Sequence, residues 1–168
     1  MRFLILPALL LPAPAAATEL FGGAHLQGVA TPFSLQADRE GGLAWSAGIR
    51  GKGIAGTPIR PYAFASVSAR GDTSFVAAGL SARFGTDRIY VRPGVGLAVH
   101  NGSASNFSED DRLALGSRIL FEPELAVGTR LNDRLSVEAS WVHLSHGQIF
   151  GTQNPGIDNI GLRLNLRL

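Results

Sequence analysis

The stretch "SWVHLSHG", residues 140–147, alternates apolar and polar residues and places His143 and Ser145 two apart. Residues two apart in a strand point to the same face. These two side chains therefore lie side by side, on the face that also carries Leu135, Val137, Ala139 and Trp141. A serine hydroxyl is a weak nucleophile until a base takes its proton. Imidazole titrates near neutrality and suits that task, and a carboxylate fixes its tautomer and stabilises the imidazolium. The carboxylate candidate is Asp158 in "GTQNPGIDNIGL", which shares parity with Ile160, Leu162 and Leu164. Neighbouring strands of one hairpin bring the three groups to one apolar face. The chemistry they suit is acyl-ester hydrolysis, with a lipid as substrate. An isolated H-x-S pair is more often structural. On that reading His143 belongs to an interfacial aromatic belt with Trp141, and Asp158 simply opens a strand after the "NPG" turn.

The elements that must position these residues are strands. "GLAWSAGIR" sets Leu43, Trp45, Ala47 and Ile49 against Ser46 and Arg50, and "NIGLRLNLRL" sets Ile160, Leu162, Leu164, Leu166 and Leu168 against Arg163, Asn165 and Arg167. The alternation predicts eight strands near 19–27, 42–51, 59–69, 74–84, 88–100, 113–130, 134–145 and 158–168. Each is long enough to cross a bilayer, which takes roughly 9–11 residues of tilted strand. Arginines, glutamates and glycines sit mid-strand on the minority face, the pattern of a barrel with lipid outside and a polar lumen. Closure removes the exposed edges such strands would otherwise present. The expected fold is all-β: an eight-stranded antiparallel transmembrane β-barrel. Arg88, Arg92, Glu122, Glu124, Glu138 and Arg163 are expected to point inward, as a paired plug rather than a pore, because eight strands enclose room only for their own side chains. Pro93 and Pro123 fall inside strands and predict local bulges. Longer loops near 28–41, 101–112 and 146–157, with a short one at 70–73, alternate with mostly short turns, which puts the longer loops outside the cell.

The N-terminus "MRFLILPALLLPAPAAATEL" has an early charge at Arg2, an apolar core from Phe3 to Leu11 and a small-residue end at Ala15–Ala17. That is the layout of an export signal, so residues 1–17 are expected to be a signal peptide and residues 18–168 the barrel. With no cysteine, a disulfide framework and the usual cysteine-based metal sites are excluded. The 15 Lys and Arg against 13 Asp and Glu are scattered singly, with no basic run or aromatic-interleaved patch to suggest nucleic acid. His25 and His100 read as ordinary strand or loop residues, and Glu109, Asp110 and Asp111 as a solvated loop.

"HLSHG" followed by "NPGIDNIGLRL", closing a small exported barrel, resembles the lipid A 3-O-deacylase (PagL-type) family of outer-membrane proteins. The resemblance is carried by about the last 30 residues. It implies a metal- and cofactor-free serine esterase of the Gram-negative outer membrane that removes the 3-O-linked acyl chain of lipid A. Ser145 would be the nucleophile, His143 the base and Asp158 the acid, in the place of the family's glutamate. Asn154 and the Gly147 backbone would form the oxyanion hole. Trp141 and Phe150 are expected to hold acyl chains, and Arg39, Arg70 and Arg112 to attract lipid A phosphates. The expected partners are lipopolysaccharide in the outer leaflet and a second copy of the chain. Two other readings are a phospholipase of the same membrane and a non-enzymatic structural or adhesive barrel.

Overall fold

The computed structural model describes residues 17–34, 39–105, 113–149 and 154–168. They form β1 (Ala17–Gln27), β2 (Gly42–Gly51), β3 (Ile59–Ser68), β4 (Phe75–Ala82), β5 (Phe84–Gly85), β6 (Tyr90–His100), β7 (Ile119–Arg130), β8 (Leu135–Leu144) and β9 (Ile157–Arg167). All pairings are antiparallel, in the order β4-β3-β2-β1-β9-β8-β7-β6-β5, and a further β4–β6 ladder closes the ring. β4 and β5 share one position in the wall, interrupted at Arg83, so the barrel has eight staves. Nearly all of the leader expected over residues 1–17 lies outside the described residues.

The alternation in the sequence becomes two walls. Trp45, Val67, Val76, Val95, Leu97, Leu162 and Leu164 are exposed on the outside, where lipid would cover them. The inside is filled in layers. Nearest the short turns, Arg50 pairs with Glu19, and Arg92 Nε donates to Glu138 Oε1 at 2.8 Å. Above them Arg163 Nη1 meets Glu124 at 2.6 Å, and the Tyr62 hydroxyl donates to Glu122. His25 bridges Ser140 and Ser46 across the lumen at 3.0 and 3.4 Å, a structural role as expected. Arg50, Glu122, Glu138 and Arg163 are each 0% exposed, so this layer is a plug and not a channel.

Four expectations are corrected. Arg88 does not enter the lumen; it lies exposed in the turn before β6, because that strand begins only at Tyr90. Residues 113–118 precede β7 instead of belonging to it. Leu113 and Leu115 fold over the barrel mouth, where Leu115 N donates to Ser103 O at 2.9 Å and both side chains are buried. The fourth stave is divided rather than continuous. Neither proline makes a bulge: the register runs unshifted through Pro93↔Leu125 and Val95↔Pro123. The ladders break there instead. Pro93 sits where the β4–β6 ladder has ended at Gly94 and the β5–β6 pairing has not begun at Val91. Pro123 lies between the pairs Glu124↔Val142 and Phe121↔Ser145, which share one register and place it opposite His143. A residue without an N–H is tolerated where no bond is asked of it.

Candidate active site

β8 and β9 pair so that His143 and Asp158 are direct cross-strand partners. Their side chains meet on the outer face, with His143 Nδ1 at 2.8 Å from Asp158 Oδ1. A carboxylate only accepts, so Nδ1 carries the proton and Nε2 keeps the lone pair a base needs. The Trp141 indole N–H donates to the same Oδ1, also at 2.8 Å. The Thr31 hydroxyl donates to the other oxygen, Oδ2. Asp158 has outward parity yet is 0% exposed, because these donors and the chain around Thr31 cover it.

Ser145 follows His143 by one alternation, just past the end of β8. Its backbone is tied to β7: Phe121 N donates to Ser145 O at 2.7 Å and Ser145 N to Phe121 O at 3.1 Å. The serine is thus held from β7 and the histidine from β9. Directly after it, Gly147 and Gln148 both have positive φ (58° and 61°), and Ile149 N donates to His146 O at 3.0 Å. Those are the features of a type I′ turn. It leaves Gly147 exposed beside the serine. Asn154 reaches back across this turn and accepts from His146 N through Oδ1 at 2.9 Å. That bond leaves the amide NH₂ as the end able to donate.

Below the site, Val142, Leu144, Ile157, Leu113, Leu115 and Leu120 form one buried apolar cluster inside the mouth. The site is therefore sealed from the lumen and approached from outside. Along the wall towards the membrane centre, the Gly22–Ala24 backbone forms the floor of a groove of about 440 Å³, walled by Trp45 on one side and Val137, Leu162 and Leu164 on the other. This groove lies over β1, the strand next to β9.

Of the residues singled out in the sequence, hydrogen bonds join His143, Trp141 and Asp158, Asn154 bonds the backbone of His146, and Ser145 and Gly147 adjoin them along the chain, Ser145 through its backbone bridge to Phe121. Trp141 gains a partner that sequence did not suggest, the Asp158 carboxylate. Arg39 and Arg70 are exposed at the same end of the barrel. Arg70, on the β3–β4 connection, is separated from β8 by β2, β1 and β9 around the wall. Arg112, Phe150, Glu109, Asp110 and Asp111 lie outside the described residues. Two residues were missed altogether. Thr31 bonds the acid, and the Phe33 ring lies 5.6 Å from Trp141 and 6.1 Å from His143. Nothing in "ATPFS" announces either role, because both exist only through contacts with the far end of the chain.

A closed, plugged barrel with an apolar outer wall has the build of an outer-membrane β-barrel, and this one carries a serine, a histidine and an aspartate on its outer face at the rim. Residues 23–167 match the family model described as lipid A 3-O-deacylase (PagL), and the chain belongs to that family. It is thus an outer-membrane enzyme of lipid A deacylation. Its fold is similar to the crystal structure of the outer-membrane enzyme PagL, with a TM-score of 0.59 at 16% identity over 89% of this chain and 99% of that one. Neisserial surface protein A aligns with a TM-score of 0.58 at 11% identity over 89% and 96%. The N-terminal barrel domain of Pseudomonas aeruginosa OprF aligns with a TM-score of 0.55 at 11% identity over 90% and 99%. No curated protein sequence matches the chain.

Proposed function

We propose that Ser145, His143 and Asp158 perform the deacylation as nucleophile, base and orienting acid, on lipid A that remains in the outer leaflet. The observation that carries this reading is the His143 Nδ1–Asp158 bond of 2.8 Å on the lipid-facing wall, with Ser145 next on the same face. Ser145 Oγ attacks the carbonyl carbon of the 3-O-acyl ester while His143 Nε2 takes its proton. The Asn154 amide and the Gly147 N–H stabilise the negative oxygen of the tetrahedral intermediate. Collapse breaks the bond to the sugar oxygen, which receives the proton from His143. Water, activated by the same imidazole, then frees the fatty acid and restores Ser145. The groove over Gly22–Ala24 offers apolar walls for an acyl chain hanging from the site.

Ser145→Ala and His143→Ala are each expected to lower fatty-acid release from lipopolysaccharide by about 10³-fold or more, while the protein keeps the heat-modifiable mobility of a folded barrel. Wild-type release by either variant would remove that residue from the chemistry. Mass spectrometry of lipid A should show loss of the 3-O chain alone. Equal release from phosphatidylethanolamine vesicles would instead make the site a general phospholipid esterase.

A further inference from the structure

We infer that Thr31 is a positioning residue of the hydrolytic site: it locks the free oxygen of Asp158 and so fixes the imidazole of His143. The inference rests on the roles proposed above for Ser145, His143 and Asp158. Both donors on Oδ1, from His143 and Trp141, come from β8, the strand paired with β9. They leave the carboxylate able to swing about its Cβ–Cγ bond unless Oδ2 is held as well. Aspartate at this position is one methylene shorter than glutamate, and it meets His143 directly across one strand pair.

Thr31 supplies the missing restraint from a different part of the chain. Its hydroxyl oxygen accepts the Phe33 N–H at 3.0 Å. One lone pair is thereby engaged, and the hydroxyl proton goes to Asp158 Oδ2, which has no proton to offer in return. A hydroxyl bonded to a carboxylate makes a charge-assisted hydrogen bond, stronger than a neutral one. The loop bearing Thr31 is itself anchored to the same strand: Val29 N donates to Asp158 O at 3.1 Å, and Ser34 Oγ to Gly156 O at 3.3 Å. A short bridge between Thr31 and Ser34 folds the segment back on itself and sets the Phe33 ring beside Trp141 and His143. The β1–β2 connection therefore completes a site whose reacting groups all lie on β8, β9 and the loop between them.

The test is a double-variant cycle on the full-length protein in lipopolysaccharide micelles, with folding checked by heat-modifiable mobility. Thr31→Val, nearly isosteric, is expected to lower kcat about 10-fold with KM within about 2-fold, since a site that loses orientation loses rate rather than binding. Thr31→Ser restores the hydroxyl and is expected to return kcat to near the wild-type value. If Thr31 acts through Asp158, the pair Thr31→Val/Asp158→Asn is no slower than Asp158→Asn alone, within about 2-fold, because neighbours in one network are not additive. Wild-type kcat for Thr31→Val, or losses that multiply in the double variant, would overturn the inference and leave the three reacting residues in place. Full activity of Asp158→Asn would bring down the assignment of the acid, and the inference with it.

Discussion

At the scale of single residues the proposed site divides into groups assigned to react and groups placed to aim them. Asp158 is enclosed by the donors of His143, Trp141 and Thr31. Three donors on the two oxygens hold the carboxylate in one orientation against the imidazole. Asn154 is tied down through its carbonyl oxygen, so its amide is pre-oriented before substrate arrives. Pre-orientation matters because a fixed donor costs no reorganisation when charge develops. Asn154→Ala is therefore expected to lower kcat about 10²-fold, with a smaller change in KM, the usual cost of losing one oxyanion donor. Steady-state kinetics on lipopolysaccharide measure it; an unchanged kcat would place the oxyanion elsewhere.

Among the elements, the backbone entering β9 is as constrained as the side chains it delivers. Gly156 immediately precedes β9 and has φ +69°, in the left-handed region that side chains disfavour. A Cβ there would stand 2.9 Å from both His143 Cε1 and Phe33 O. Gly156→Ala is expected to fold into a barrel, displace the imidazole and lower kcat about 10-fold or more, since small displacements of reacting groups are costly. Retained kcat would mean the turn yields without moving His143. Pro123 has a related place on the other side. Phe121 and Ser145 exchange both backbone bonds, and two residues along the same edge Pro123 faces His143 with no N–H to give. The ladder holding β8 to β7 is thus loosened next to His143 and resumed at Ser145.

For the molecule as a whole, the plugged lumen and the buried apolar cluster in the mouth leave, among the described residues, an approach to the site from the outer wall. Remote parts of a lipid substrate then contribute to positioning the ester. Release of acid from lipopolysaccharide in bilayers or micelles is expected to exceed that from a water-soluble short-chain ester by at least about 10²-fold in kcat/KM. Comparable values would count against an approach through the membrane. Export fits the same picture. Thr18 Oγ1 donates to Gly51 O at 3.1 Å, and Leu168 N donates to Thr18 O at 3.0 Å, so Thr18 already belongs to the wall. Cleavage after Ala17 would leave these bonds intact, and N-terminal sequencing of protein purified from outer membranes is expected to read Thr18 first.

The sequence by itself determined the class of fold and the face on which each candidate site residue lies. Strict alternation assigns each side chain to lipid or lumen, and a period of two leaves little freedom once one face is apolar. The same parity placed His143, Ser145 and Asp158 on one face before any contact was known. What alternation cannot carry is where a strand stops and what a loop touches. Arg88 looks lumenal by parity, but the chain is still turning there. Leu113 and Leu115 read as strand and instead fold over the mouth. Pro93 and Pro123 suggested bulges, yet gaps in the ladders absorb the missing donors. Thr31 reaches Asp158, and Phe33 reaches Trp141 and His143, from far along the chain only because β1 pairs with β9 on closure. Closure of the ring is a property of the whole set of strands, and it alone decided which loop would complete the site.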